Sequence, residues 1–241
     1  MRLNGVEIKV SVGGPEVATA LDALGLGGNG QRRTIGFIED STVGVVLPLF
    51  HQGVVLRVRQ IDGDEDDSTV KLRPCRRSQL TERWLGEEEG DGWKLRVEED
   101  WAASRRVLAA SCVSDLPQGR IALARAGTIP VRQLFNEGQE RFLSDCAGMQ
   151  INLEALTLLP PVAATRWDGV RVQGVKDVVA ERWTIDDLDF LELSIKVGTA
   201  EKAQAAQDEL ERGIRALNLE RDDENESKTE RVLAHLLGLE Q

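Results

Sequence analysis

Histidine is scarce in this chain, with His51 and His235 as its only imidazoles. A metal held by it would therefore have to be a hard, oxygen-liganded ion such as Mg2+ or Mn2+, and both histidines are expected to be incidental. Cysteine is also sparse. Cys75, Cys112 and Cys146 are odd in number, far apart and in no C-x-x-C pair, so they suit neither a disulfide framework nor a structural zinc site, and buried thiols are expected. Long apolar runs are missing as well, since none approaches the roughly 20 residues of a membrane-spanning helix. Residues 1–12 alternate polar and apolar side chains where a signal peptide would need an apolar core, so the expected compartment is the cytoplasm.

Positive charge is in deficit. The formal net charge of -11 arises from 41 acidic against 30 basic residues. That balance argues against broad binding to nucleic acid or to an anionic membrane, while leaving room for a local basic cavity. The length of 241 residues can bury its own core, and a single domain over 1–241 is expected, with a C-terminal helical segment at 199–241. Three acidic runs, 62–67, 87–91 and 220–226, read as solvated connections, because like charges repel and stay hydrated.

Between these runs the chain alternates with period two. Strands are predicted at 6–12, 34–39, 54–60, 69–73, 93–101, 105–112, 162–166, 178–185 and 190–197, and the number suits a large antiparallel sheet. Helical patterns interrupt them. One runs over 15–24, with Pro15 near its start and Gly25 as its stop, and others run over 130–146 and 200–217. Ser227 with Glu230 reads as a capping box that opens a last helix. Strands with a few packed helices indicate an α+β fold rather than a doubly wound one.

Several strands carry charge at every second position: Glu7 and Lys9; Arg57 and Arg59; Lys71 and Arg73; Lys94, Arg96, Glu98 and Asp100; Glu192 and Lys196. Each set shares one face of its strand. Turned outward, the sets are plain solvent surface. Turned inward, they line a cavity whose burial is tolerable only when water, metal and a strongly anionic ligand complete the pairing, and a triphosphate with a divalent metal meets that demand.

The ordered series resembles the CYTH superfamily, the triphosphate tunnel metalloenzymes that include thiamine triphosphatases and class IV adenylyl cyclases. Gly5-Val6-Glu7-Ile8-Lys9 is similar to the opening Glu-x-Glu-x-Lys strand, with Gly5 in place of its first Glu. The chain then offers Phe37-Ile38-Glu39-Asp40-Ser41, Gly53, Leu56-Arg57-Val58-Arg59, Val70-Lys71-Leu72-Arg73-Pro74 and Arg96-Val97-Glu98-Glu99-Asp100, each resembling a family strand in order. Pro161-Val162 through Arg166 and Asp186-Asp187 with Glu192-Leu193-Ser194 complete the likeness, and Ser194 stands where the family carries a second Glu.

The resemblance implies an antiparallel β-barrel, or tunnel, with several flanking helices, binding a triphosphate-containing small molecule with Mg2+ or Mn2+. Lys9, Arg57, Arg59, Lys71, Arg73, Arg96 and Arg166 would contact phosphate oxygens, with Arg182 and Lys196 as further candidates. Of these, Lys9, Arg57 and Arg96 would carry catalysis by neutralising phosphoryl charge. Glu7, Glu98, Asp100 and Glu192 would hold the metal. Gly5 and Ser194 remove two carboxylates from that set, which lowers the expected metal affinity. The readings that follow are a metal-dependent triphosphate hydrolase and, as the alternative, a catalytically weak or inactive triphosphate-binding protein on the same fold. From another class comes a barrel with a charged solvent face whose work is protein interaction. A cyclase would need a base pocket, and no local pattern marks one among the five tryptophans. The oligomeric state is left open.

Overall fold

Each predicted period-two run overlaps a strand in the computed structural model, which describes residues 3–40, 46–86, 89–222 and 227–238. The strands at Gln31–Asp40, Asp66–Leu72, Arg105–Leu116, Val162–Val172 and Val175–Ile185 reach three to six residues beyond the predicted ends. The strands are β1 (Val6–Gly13), β2 (Gln31–Asp40), β3 (Val54–Ile61), β4 (Asp66–Leu72), β5 (Glu89–Gly90), β6 (Trp93–Ala102), β7 (Arg105–Leu116), β8 (Leu156–Leu158), β9 (Val162–Val172), β10 (Val175–Ile185) and β11 (Leu188–Val197). The helices are α1 (Glu16–Ala23), α2 (Pro48–His51), α3 (Glu82–Gly86), α4 (Arg120–Arg125), α5 (Glu137–Cys146), α6 (Ala200–Ala216) and α7 (Lys228–Leu236).

The sheet runs β1-β11-β10-β9-β2-β3-β4-β7-β6, and β6 pairs back onto β1, so these strands close into a barrel with helices on its flanks. The closing pair is parallel, with Val6 beside Glu99 and Glu7 beside Asp100, which makes the barrel mixed rather than wholly antiparallel. No helix among the described residues is long and apolar enough to cross a membrane.

Two compact units divide the chain: Met1–Asn4, Thr34–Glu98 and Val107–Pro161 form the first, and Gly5–Arg33, Glu99–Arg106 and Val162–Gln241 the second. In the first, Val54, Leu56 and Val58 of β3, Val70 and Leu72 of β4, and Leu95 and Val97 of β6 are buried in one apolar cluster with Trp84, Phe142 and Leu143. In the second, Val6, Ile8, Val10 and Val12 of β1 are buried with Val17 and Ala20 of α1 and with Ala203, Leu210 and Ile214 of α6. In both, the apolar residues of alternating strands lie against helices, and the charged residues between them occupy the opposite face.

Helix ends follow local chemistry. α1 stops at Gly25, whose φ of +64° a residue with a β-carbon adopts only under strain. The segment predicted as one helix over 130–146 is instead a 3-10 turn at Val131–Leu134 followed by α5. Asn136 divides them, because its side chain accepts the Gln139 N–H at 2.9 Å and starts a new helix. α7 begins as its capping box predicts, with Ser227 Oγ accepting the Glu230 N–H at 3.2 Å.

The acidic runs fare less uniformly. Asp66 and Asp67 are buried in β4 and are not part of a solvated loop, with Asp67 held by Arg59. Asp222 pairs with Arg231 at 2.6 Å, while 87–88 and 223–226 lie outside the described residues, as does Ser41. The thiols are buried as expected, and burial pushes Cys75 and Cys146 up to about 11 and Cys112 up to about 12, so none is a ready nucleophile.

Candidate functional site

In the second unit, β1 presents Glu7, Lys9 and Ser11 away from the helices. Register with β11 sets Glu7 opposite Lys196, Lys9 opposite Ser194 and Ser11 opposite Glu192. Glu192 in turn faces Glu181 on β10, and Glu181 faces Arg166 on β9. A continuous charged row thus crosses the strands. Lys9 Nζ lies 2.8 Å from Glu7 and 3.7 Å from the buried carboxylate of Asp100. Burial pushes the Glu7 carboxyl up, but Lys9 and Lys196 outweigh it and leave the group below its ordinary value.

Further along this row, Arg166 Nε is 3.1 Å from both oxygens of Asp168. Burial opposes charge on Arg166, yet the bond to Asp168 prevails and raises it. Arg33 lies 3.7 Å from Glu181. From α7, Lys228 sends its ammonium to within 3.4 Å of Glu192 and 3.8 Å of Glu181, and over the Trp183 ring at 3.9 Å.

In the first unit, Arg57 and Arg59 share the face away from the helices with Thr69 and Asp67, their register partners on β4, and with Lys71. Arg59 Nε is 3.0 Å from both carboxylate oxygens of Asp67. Arg73 follows β4 directly, and its N–H donates to the Gly53 carbonyl at 2.7 Å. On β6, Lys94 and Arg96 are exposed, whereas Glu98 on the same face is half-buried. Glu39 is spent on structure: its carboxylate accepts the N–H groups of Leu49 at 3.1 Å and Phe50 at 2.9 Å and anchors α2. Burial raises its pKa despite those bonds.

Of the sequence-derived candidates, Lys9, Glu7, Asp100, Arg166 and Glu192 meet on one row in the second unit, and Arg57, Arg59 and Lys71 meet on one face in the first. Arg182 does not join its row. It sits opposite Leu191, a residue of the helix-covered cluster, and is held by Asp189 at 2.9 and 2.7 Å. Lys196 faces Glu7 in register but is exposed. Glu181, Arg33, Asp168 and Lys228 escaped the sequence reading. Glu181 had a usable signal, lying within the alternation of β10, whereas Lys228 is brought in by the path of the chain after α6.

The divalent cation that the family resemblance implies would need several carboxylates converging on one point. Among the described residues, no three His, Cys, Asp or Glu side chains come together as a group able to hold a metal ion. Glu7 and Asp100 share the ammonium of Lys9, and Glu181 and Glu192 share that of Lys228. Gly5 could not regain a carboxylate simply, because its φ is +127° and an added β-carbon would meet the Val197 carbonyl oxygen at 2.5 Å. As arranged, these carboxylates are matched to lysines and do not fit a multi-carboxylate metal centre.

No family model and no curated protein matches the chain. Solved structures do. A candidate adenylate cyclase from Bacillus halodurans is similar over 95% of this chain and 97% of its own, at 14% identity and a TM-score of 0.60. A candidate adenylyl cyclase from Hippeastrum with a dominant triphosphatase activity is similar over 96% and 95%, at 14% identity and a TM-score of 0.62. The fold is thus the CYTH-type α+β barrel that the sequence resemblance implied.

Proposed function

We propose that this chain, as a single CYTH-like domain over 1–241, binds a triphosphate-bearing small molecule, inorganic or organic, with hydrolytic turnover weak or absent. The observation that carries the reading is the one-sidedness of the strands: Lys9, Arg57, Arg59, Lys71 and Arg166 all lie, half-buried, on faces turned from the helices. Guanidinium groups donate in a fixed fork that matches phosphate oxygens, and lysine adds a point charge, so such faces recognise a polyanion without further chemistry. Their present partners, Glu7 for Lys9 and Asp67 for Arg59, keep the cations compensated until an anion competes for them.

Phosphoryl transfer asks little covalent work of a protein, because neutralising charge on the phosphoryl oxygens and aligning a water supply most of the catalysis. The lysine-matched carboxylates therefore bear on rate more than on binding. A second reading, metal-dependent hydrolysis releasing one phosphate, is favoured by the dominant triphosphatase activity of the Hippeastrum protein.

One paired experiment separates them: phosphate release from tripolyphosphate, ATP and thiamine triphosphate in Mg2+, Mn2+ or EDTA, beside thermal unfolding with each ligand, for wild type and Arg57→Ala. The expected outcome is that tripolyphosphate raises the Tm of wild type in EDTA and leaves Arg57→Ala unmoved, with little phosphate released. Rapid metal-dependent release abolished in Arg57→Ala would establish the hydrolase. Neither stabilisation nor release would discard both.

A further inference from the structure

Glu181 and Glu192 are direct cross-strand partners on β10 and β11, with side chains only 14% and 18% exposed. Two carboxylates so placed repel, and withdrawing them from water sharpens the repulsion, so like charges opposite one another destabilise a sheet. The fold answers from a distance in sequence. α7 places the Lys228 ammonium 3.4 Å from Glu192 and 3.8 Å from Glu181, at 7% side-chain exposure. Trp183, on the same face of β10 as Glu181, lies under it at 3.9 Å.

The placement is over-determined. Ser227 and Glu230 form the capping box that fixes where α7 starts, which sets Lys228 at its first position. Val232 and Leu233 are buried, and Arg231 is tied to Asp222 at 2.6 Å, so the helix is anchored on either side of the lysine's turn. The Asp222 N–H donates to the Ser11 carbonyl at 2.8 Å, which joins the segment before α7 to β1.

We propose that Lys228 is a built-in cation for the Glu181–Glu192 pair, occupying by charge the place a divalent ion would take, so that removing its ammonium uncovers a cation site the wild-type chain does not offer. A divalent ion suits the exposed pair because magnesium-like ions keep several waters and bind through as few as two carboxylates. Arg33, 3.7 Å from Glu181, leaves a cation beside the pair when the Lys228 ammonium is removed, so the gain in affinity is read against that residual charge. This inference is independent of the triphosphate reading, because it concerns only the protein and a metal.

The test is Mn2+ binding without any phosphate ligand, read by the loss of the free-ion EPR signal on titration into the full chain. Wild type and Lys228→Arg are expected to bind weakly. Lys228→Ala and Lys228→Met should bind at least about tenfold more tightly, and adding Glu192→Gln to either should remove the gain. Lys228→Met keeps an apolar stem over Trp183, so it guards against a loss of folding in the alanine variant. Where either variant has a lowered Tm, Mn2+ should restore it, because an ion that binds only the folded state stabilises it. Wild type binding Mn2+ as tightly as the variants, or folded variants gaining no affinity, would overturn the proposal, as would a gain that survives Glu192→Gln.

Discussion

Single positions decide which carboxylates this barrel can carry. Gly5 and Ser194 both stand where the family resemblance calls for an acid, yet the two are not alike. The backbone at Gly5 is held at φ +127° against the Val197 carbonyl, a geometry that a β-carbon would force to shift. Ser194 lies in regular β11, opposite Lys9 and Val179, with no such constraint on its backbone. Gly5→Ala and Gly5→Glu should therefore both lose about 2 kcal/mol, because the strain comes from the backbone and not from the charge. Ser194→Glu buries a further carboxylate beside Lys9, whose ammonium Glu7 and Asp100 already share, and should lose about 1–3 kcal/mol through charge rather than backbone strain. Urea unfolding of the three variants checks this, and a Gly5→Ala as stable as wild type would remove the backbone argument.

Elements were legible where the period of the sequence matched the period of the structure. β1, β3, β6 and β11 carry strict alternation, and both their spans and their charged faces could be read from it, because one face had to meet the apolar side of a helix. What escaped was set by partners far along the chain. The helix expected over 130–146 broke at Asn136, and the acidic run at 62–67 ended in a buried strand because Arg59 receives Asp67. Of the charged rows, those within a strand were visible, while Glu181 with Lys228 needed the register of β10 and the return of the chain through α7. Gln139 shows the same dependence on distance. It is fully buried in α5, donates to the carbonyls of Ser68 at 3.0 Å and Cys112 at 3.1 Å, and accepts from Ser68 Oγ at 2.9 Å. Gln139→Leu should cost about 2 kcal/mol by leaving these buried strand groups unmatched, and the loss should appear in the denaturation midpoint with an unchanged m-value.

The whole molecule works against its own charged faces. A net charge of -11 repels an approaching polyanion at long range, whereas on the proposed reading the half-buried cations of each unit's strand face would attract it only at short range. Screening separates the two contributions, because the Debye length falls from about 30 Å at 0.01 M salt to about 10 Å at 0.1 M. Over that interval the field of distant surface carboxylates fades, while half-buried cations a few ångströms from a bound anion are screened much less. Association of tripolyphosphate should therefore speed up as salt rises from about 0.01 M to about 0.1 M, the reverse of a protein steered by net positive charge. Stopped-flow measurement at several ionic strengths reads this directly. A rate that falls steadily with salt would mean that the cationic faces govern the approach as well as the contact, and that the acidic surface lies too far from the entry route to matter.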